Sequence, residues 1–135
     1  MAQPPITGIT HLELTVRDLA VSEPWYTQVL GFERMGELDK EDHSTVMLRA
    51  GTLMVGLVQH TATDDSDRFD ERRVGLDHAA FGLQTADAVE SWAAYLDEQG
   101  VEHTGVKDGA LPGTRVVIFR DPDNIQLEFY YLPQQ

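Results

Sequence analysis

Glu128 lies in the stretch Asp121-Pro122-Asp123-Asn124-Ile125-Gln126-Leu127-Glu128-Phe129-Tyr130 near the C-terminus. The first four residues read as a tight turn. Proline presets φ at the second position, and asparagine tolerates a left-handed conformation at the fourth. In the strand that follows, polar Asn124, Gln126 and Glu128 alternate with apolar Ile125, Leu127 and Phe129. Period two therefore puts Glu128 on one face with Gln126 and Tyr130. A carboxylate there is either a solvated strand residue or a ligand in a cup. Histidines recur in register: Gly75-Leu76-Asp77-His78 restates Gly8-Ile9-Thr10-His11, with His78 67 residues after His11. The absence of cysteine excludes disulfides and thiolate catalysis, and it suits a reducing cytoplasm.

The elements that must position these residues repeat as well. Residues 6–16 alternate as a strand, with Leu12, Leu14 and Val16 on one face and His11, Glu13 and Thr15 on the other. The pattern turns helical from about Ser22 to Leu30, where Val21, Trp25 and Val29 are spaced by four. Ser22 is a candidate N-cap, Pro24 falls in the first turn and Gly31 stops the helix. Phe32 to Gly36, Thr45 to Leu48 and Thr52 to Val58 read as strands, with a polar loop from Asp39 to His43 and a turn at Ala50-Gly51. Residues 61–73 are polar and charged, and read as a linker. The second half then repeats the first: strand Ala79 to Leu83, helix Ala86 to Gln99 with Thr85 as N-cap, then strands Val101 to Val106, Val116 to Phe119 and Ile125 to Tyr131. Trp92 falls 67 residues after Trp25, at the same place in its helix, and both read as core residues. The expectation is an α+β chain of two tandem βαβββ modules, 6–60 and 74–132, burying a face together.

Length and charge bound the function. A chain of 135 residues fits one domain with a sizeable core. Hydrophobic content of 41% suits a globular protein. Net charge is −13, which disfavours nucleic acid and anionic membrane surfaces as partners. The N-terminus Met1-Ala2-Gln3-Pro4-Pro5 lacks a signal-peptide pattern, and no apolar stretch approaches transmembrane length. A cytoplasmic location is the expectation.

Paired βαβββ modules, a His in the first strand of each and a final D-P-D-x-x-x-x-E strand resemble the vicinal oxygen chelate superfamily. That group includes glyoxalase I, fosfomycin-resistance proteins, extradiol dioxygenases and bleomycin-resistance proteins. The resemblance covers roughly residues 6–132. It implies a curved mixed sheet from each module and one divalent metal held in the cup between them. It also implies His11, His78 and Glu128 as ligands. Two imidazoles and one carboxylate suit Fe(II) or Mn(II), with Zn(II), Ni(II) and Co(II) also possible. Family members commonly pair modules across subunits, and four-stranded modules leave edges that need a partner, so a homodimer is expected.

The chain departs from the family at the fourth ligand. The counterpart of Glu128 in the first module falls at about Gly56, which has no side chain to coordinate. His60 lies about 13 Å further along the strand at 3.3 Å per residue. Three protein ligands leave open positions for water, O₂ or a chelating substrate. The extradiol branch places a Tyr where Ile118 stands here. The fosfomycin branch has a Thr where Glu13 stands, and cations for the phosphonate; Lys107, Arg115 and Arg120 are the ones available in this half. Glu13 shares a face with His11 and would point into the cup as a general base, or lie at its rim bonded to a neighbouring strand. Gln126 and Tyr130 would orient substrate or ligand, or simply pack in the strand. His43 and His103 read as surface residues. Dioxygenase-like or addition chemistry on a small oxygen-chelating substrate is the leading expectation. The alternatives are a glyoxalase-type lyase with Glu13 as base, a metal-free drug-binding protein of the bleomycin-resistance type, and a structural or regulatory protein that kept only the fold.

Overall fold

The structure, a computed structural model, describes residues 1–134. The chain divides into two compact units, with the boundary between Asp65 and Ser66. Among the described residues no helix is long and apolar enough to cross a membrane.

The first unit runs β1 (His11–Thr15), α1 (Leu19–Pro24), a π-helical segment (Trp25–Val29), β2 (Glu33–Asp39), β3 (His43–Ala50) and β4 (Leu53–His60). Its four strands form one sheet in the order β1-β4-β3-β2. β1 runs parallel to β4, and the other pairings are antiparallel. Period two explains its two faces. Leu14, Val46, Leu48, Val55 and Leu57 are buried on one side, where Tyr26 and Leu30 of the helical segments join them. Each such Val or Leu contributes about 1.5–3 kcal/mol relative to exposure. The opposite face carries Glu13, Thr15, Thr45, Met47, Gly56 and Val58.

The second unit repeats the plan with β5 (Ala79–Leu83), α2 (Ala86–Glu98), β6 (Lys107–Asp108), β7 (Arg115–Arg120) and β8 (Gln126–Tyr131), in the order β5-β8-β7-β6. The Thr85 hydroxyl caps α2 by accepting from the Ala88 N–H at 3.1 Å. Gly100, at φ +69°, turns the chain out of it. Val89, Ala93 and Leu96 are buried, and Trp92 stacks on Phe129 with ring centroids 4.2 Å apart. The chain is thus α+β, two four-stranded mixed sheets with few helices.

Three expectations are corrected. β1 begins only at His11, because its pairing with β4 starts at Met54; residues 6–10 are exposed and outside any strand. The first helix starts earlier than Ser22. Asp18 is the N-cap, its carboxylate accepting from the Ala20 N–H at 2.9 Å, and Ser22 is buried inside the helix. Pro24 lacks an N–H to continue the α ladder, and the chain continues in the wider π spacing, with the Leu30 N–H donating to the Trp25 carbonyl. Residues 101–106 form no regular strand: Gly105 sits at φ +75°, His103 alone bridges to Phe119, and the pairing with β7 falls to Lys107–Asp108.

The boundary between the units falls within residues 61–73, and the latter part of this segment is fastened to the second unit. The Phe69 N–H donates to the Asp123 carbonyl at 2.9 Å, and the Asn124 side-chain amide donates to the Phe69 carbonyl at 3.0 Å. Arg120 grips the two oxygens of Glu71 at 2.9 Å each. Those hydrogen bonds lower the Glu71 pKa from 4.5 to about 2. A lowered folded-state value means this contribution is in place above pH 4.5 and is lost as pH falls towards 2. Protection of the Phe69 amide, its exchange measured against the intrinsic rate at each pH, should therefore fall through that window in the wild type. In Glu71→Gln protection should already be low at neutral pH and change little on acidification. Matching acid profiles in the two proteins would show that the ion pair does not hold this segment.

Candidate active site

In the second unit, Glu128 and His78 are brought together by the turn that precedes β8. Buried Asp121 directs its Oδ1 to the N–H groups of Asp123 and Ile125, both at 2.8 Å, and Asn124 takes φ +68°. The turn sets the register in which Glu128 lies opposite Ala80 on β5 and Ile118 on β7. His78, just before β5, points its Nε2 to within 3.7 Å of Glu128 Oε2. Glu128 is 8% exposed, whereas the His78 side chain is 42% exposed.

The residue before His78 fixes its ring. Asp77 Oδ1 lies 2.6 Å from His78 Nδ1. A carboxylate accepts, so Nδ1 donates to Asp77 and Nε2 is the nitrogen that faces Glu128. Gln126 in turn donates from Nε2 to Asp77 Oδ1 and to the Asp77 carbonyl, each at 3.2 Å, and its own Oε1 accepts from Arg120 at 3.1 Å. The structure thus places Gln126 behind Asp77 in a supporting chain. Tyr130 shares the face of Glu128; its phenol lies over the Gly109 backbone, beside the Thr114 hydroxyl, where a Cβ at 109 would meet Tyr130 Oη at 2.5 Å.

In the first unit, the Thr10 hydroxyl engages His11 Nδ1 at 2.9 Å, which leaves Nε2 to a ligand. His11 and Glu13 are both exposed. Glu13 stands opposite Gly56 in the β1–β4 register, and its side chain lies over that glycine. It borders a hollow of about 560 Å³ on the sheet, together with Thr15, Met47, Val58 and two histidines, His43 and His60. These two face each other across β3 and β4 with ring centroids 5.4 Å apart. His43 is half-buried, not a plain surface residue; its bond to Asp42, 2.7 Å long, holds that carboxyl below its usual pKa. His103 is likewise tied down, its side chain 10% exposed, with Asp97 at 2.8 Å on Nε2 and the Gly105 N–H on Nδ1.

Two features escaped the sequence reading. Asp77 as the partner of His78 was detectable, since an acid directly precedes the histidine. The His43–His60 pairing needed the hairpin register, which sequence does not print. The three candidate phosphonate cations also find their places. Arg115 is paired with Glu90 and Asp108, Arg120 is paired with Glu71, and Lys107 is exposed on the short strand β6.

The second unit's pair fits a divalent ion in chemistry: an imidazole whose distal nitrogen is held by a carboxylate, aimed at a second carboxylate. Among the described residues no group of three His, Asp or Glu comes together to hold a metal.

Comparison with known proteins follows from this plan. The family model described as Glyoxalase/Bleomycin resistance protein/Dioxygenase superfamily matches residues 8–129. The crystal structure of a glyoxylase/bleomycin resistance protein/dioxygenase domain from Frankia sp. EAN1pec is 32% identical, with a TM-score of 0.86 over 96% of this chain and 100% of that one. Bacillus subtilis (strain 168) YwkD, itself uncharacterised, is 27% identical over 93% of this chain and 97% of its own length. The fold also matches FosX, a fosfomycin resistance protein of Listeria monocytogenes solved with Mn(II) and sulfate, at 20% identity and TM-score 0.70, covering 96% of this chain and 95% of that one.

Proposed function

Because the chain belongs to the glyoxalase/bleomycin resistance protein/dioxygenase superfamily, we propose that it is an enzyme using one divalent metal ion, held by His11, His78 and Glu128, on a small substrate with vicinal oxygens. The observation that carries the reading is the Asp77–His78–Glu128 arrangement, in which Asp77 holds Nδ1 and Nε2 is aimed at a nearly buried carboxylate. Fe(II) or Mn(II) is the favoured ion for this N/O set, and the FosX relative was solved with Mn(II). The ion, when bound, supplies a Lewis acid that polarises substrate oxygens.

The chain's own residues supply the rest. Asp77 fixes the His78 tautomer, and Gln126 holds Asp77 in place. Tyr130, on the Glu128 face, offers a hydroxyl to substrate. Met47 and Val58 shield part of the hollow from water. Phosphonate is disfavoured as substrate, since Arg115 and Arg120 are already engaged by carboxylates. Dioxygenase-like or addition chemistry leads. Proton transfer by Glu13 is the second reading, favoured by its position bordering the hollow. Assembly as a homodimer is part of the proposal: exposed Ile9 and Leu76 stand in equivalent places just before β1 and β5, where a second copy would cover them.

The test is the metal content of protein purified without an affinity tag or added metal. About one Fe or Mn per chain is expected. A preparation that neither carries nor takes up a divalent ion would instead point to a metal-free binding protein.

A further inference from the structure

We propose that the hollow on the first unit's sheet binds an organic ammonium ion, a protonated amine carried on a short apolar body. The proposal goes beyond the metal-dependent reading and stands whether or not a metal binds. The hollow, about 560 Å³, draws on all four strands of one sheet. Its volume is in the usual range for a small-molecule site. Met35, Leu38, Met47 and Val58 give it apolar walls.

Its polar side chains have hydrogen-bonding capacity to spare. Among the described residues the Glu13 carboxylate, the Thr15 and Thr45 hydroxyls and the His60 ring make no hydrogen bond. Thr45 is 9% exposed, so the hollow is where its hydroxyl can find a partner. His43 keeps Nε2 unbonded, its Nδ1 being held by Asp42 at 2.7 Å. The Glu13 side chain is laid over Gly56, where a Cβ would meet Oε1 at 2.9 Å. The missing side chain at 56 thus gives this carboxylate its seat on the sheet.

Charge selects the occupant. Among the described residues no lysine or arginine lines the hollow. Its other acid, Glu37, is bonded to Arg34 at 2.6 Å, which leaves Glu13 as the carboxylate without a counter-charge. A neutral molecule over that carboxylate would strip its hydration and return nothing. An anion would be repelled by it and by the net charge of −13. A bare metal ion is not the occupant: among the described residues no three His, Asp or Glu come together to hold one, and the apolar walls would go unused. An ammonium brings the missing charge and three N–H donors for the acceptors around it, while its apolar body covers the methionines.

Hexylammonium is the probe, with hexanol and hexanoate as neutral and anionic controls. The buffer holds EDTA at about pH 8, where the amine is charged and a free imidazole is neutral. Binding is followed by the NMR signals of the imidazole ring protons. Saturable shifts are expected at His43 and His60, with His103 of the second unit unmoved. Affinity should rise about two- to fourfold for each CH₂ from butyl- to hexylammonium. Glu13→Gln, its fold checked by circular dichroism, should weaken hexylammonium binding at least about tenfold. Equal binding of hexanol or hexanoate overturns the proposal, as do shifts centred on His103 or wild-type affinity in Glu13→Gln. So does an affinity indifferent to chain length, which would reduce the contact to a surface ion pair, or the absence of saturable binding at millimolar concentrations. All but one of these measurements use the wild type, so they decide the matter even if the variant does not fold.

Discussion

Glu128→Ala should bind divalent metal at least about 100-fold more weakly than the wild type, and Asp77→Asn about 10–100-fold more weakly. The order follows from position. Glu128 is the carboxylate that His78 Nε2 faces at 3.7 Å, so its loss removes a donor outright. Asp77 touches only Nδ1 of the same ring, at 2.6 Å. Its loss leaves the donor present but frees the ring to turn or to take the wrong tautomer. Titration with Mn(II) or Fe(II) under anaerobic conditions measures both. The fold should survive in each case, because Glu128 takes part in no other ion pair among the described residues and Asp77 is exposed. Equal affinities for wild type and Glu128→Ala would place any metal site elsewhere.

Phe129→Ala should destabilise the fold by about 3–5 kcal/mol, a large share of the roughly 5–15 kcal/mol that holds a domain together. Phe129 neighbours Glu128 but faces the other way. It is 3% exposed, stacked on Trp92 at 4.2 Å and on Phe119 at 4.9 Å. Truncation would leave two rings facing a void that the sheet and α2 cannot close. Urea unfolding followed by Trp fluorescence gives the number, and Phe129→Leu should lose less. Metal affinity of the folded fraction should be unchanged, since alternate residues of β8 serve opposite faces. A loss below about 1 kcal/mol would mean that this stack is not the core of the second unit.

Much of this was legible from local pattern. The repeat of the Gly-x-x-His segment anticipated two units of the same topology, and the alternation through Leu127, Glu128 and Phe129 anticipated which side chains enter the core. Asn124 adopts the left-handed conformation expected of it, at φ +68°. The helix start was misplaced because Asp18 and Ser22 are both good caps by residue type. Only the geometry shows that the Asp18 carboxylate reaches the Ala20 N–H. Residues 101–106 looked like a strand by composition, but strands need partners, and β7 meets Lys107–Asp108 instead. At the site, Gly56 read as a vacancy because sequence shows a missing side chain without showing what lies over it. Glu13 is remote from it in sequence and adjacent in the sheet.

The parallel pairings β1–β4 and β5–β8 also have a bearing on how the chain acquires its shape. In each unit the first strand made must wait for the last: His11 pairs with Met54, and Ala79 with Leu127. The hairpin β3–β4 joins neighbours in sequence and needs no such wait. Closure of a loop of some forty residues comes at an entropic cost that short-range pairings avoid, which makes it slow. On a growing chain the strand that carries His11 and Glu13 therefore stays open until β4 has emerged, and His78 lacks Glu128 until β8 has emerged. A chain stopped short of β8 would keep the helix α2 yet expose an unpaired β5 edge. Quality-control proteases would read that edge as unfinished, so truncation before β8 should be tolerated far less than its distance from His11 in sequence implies.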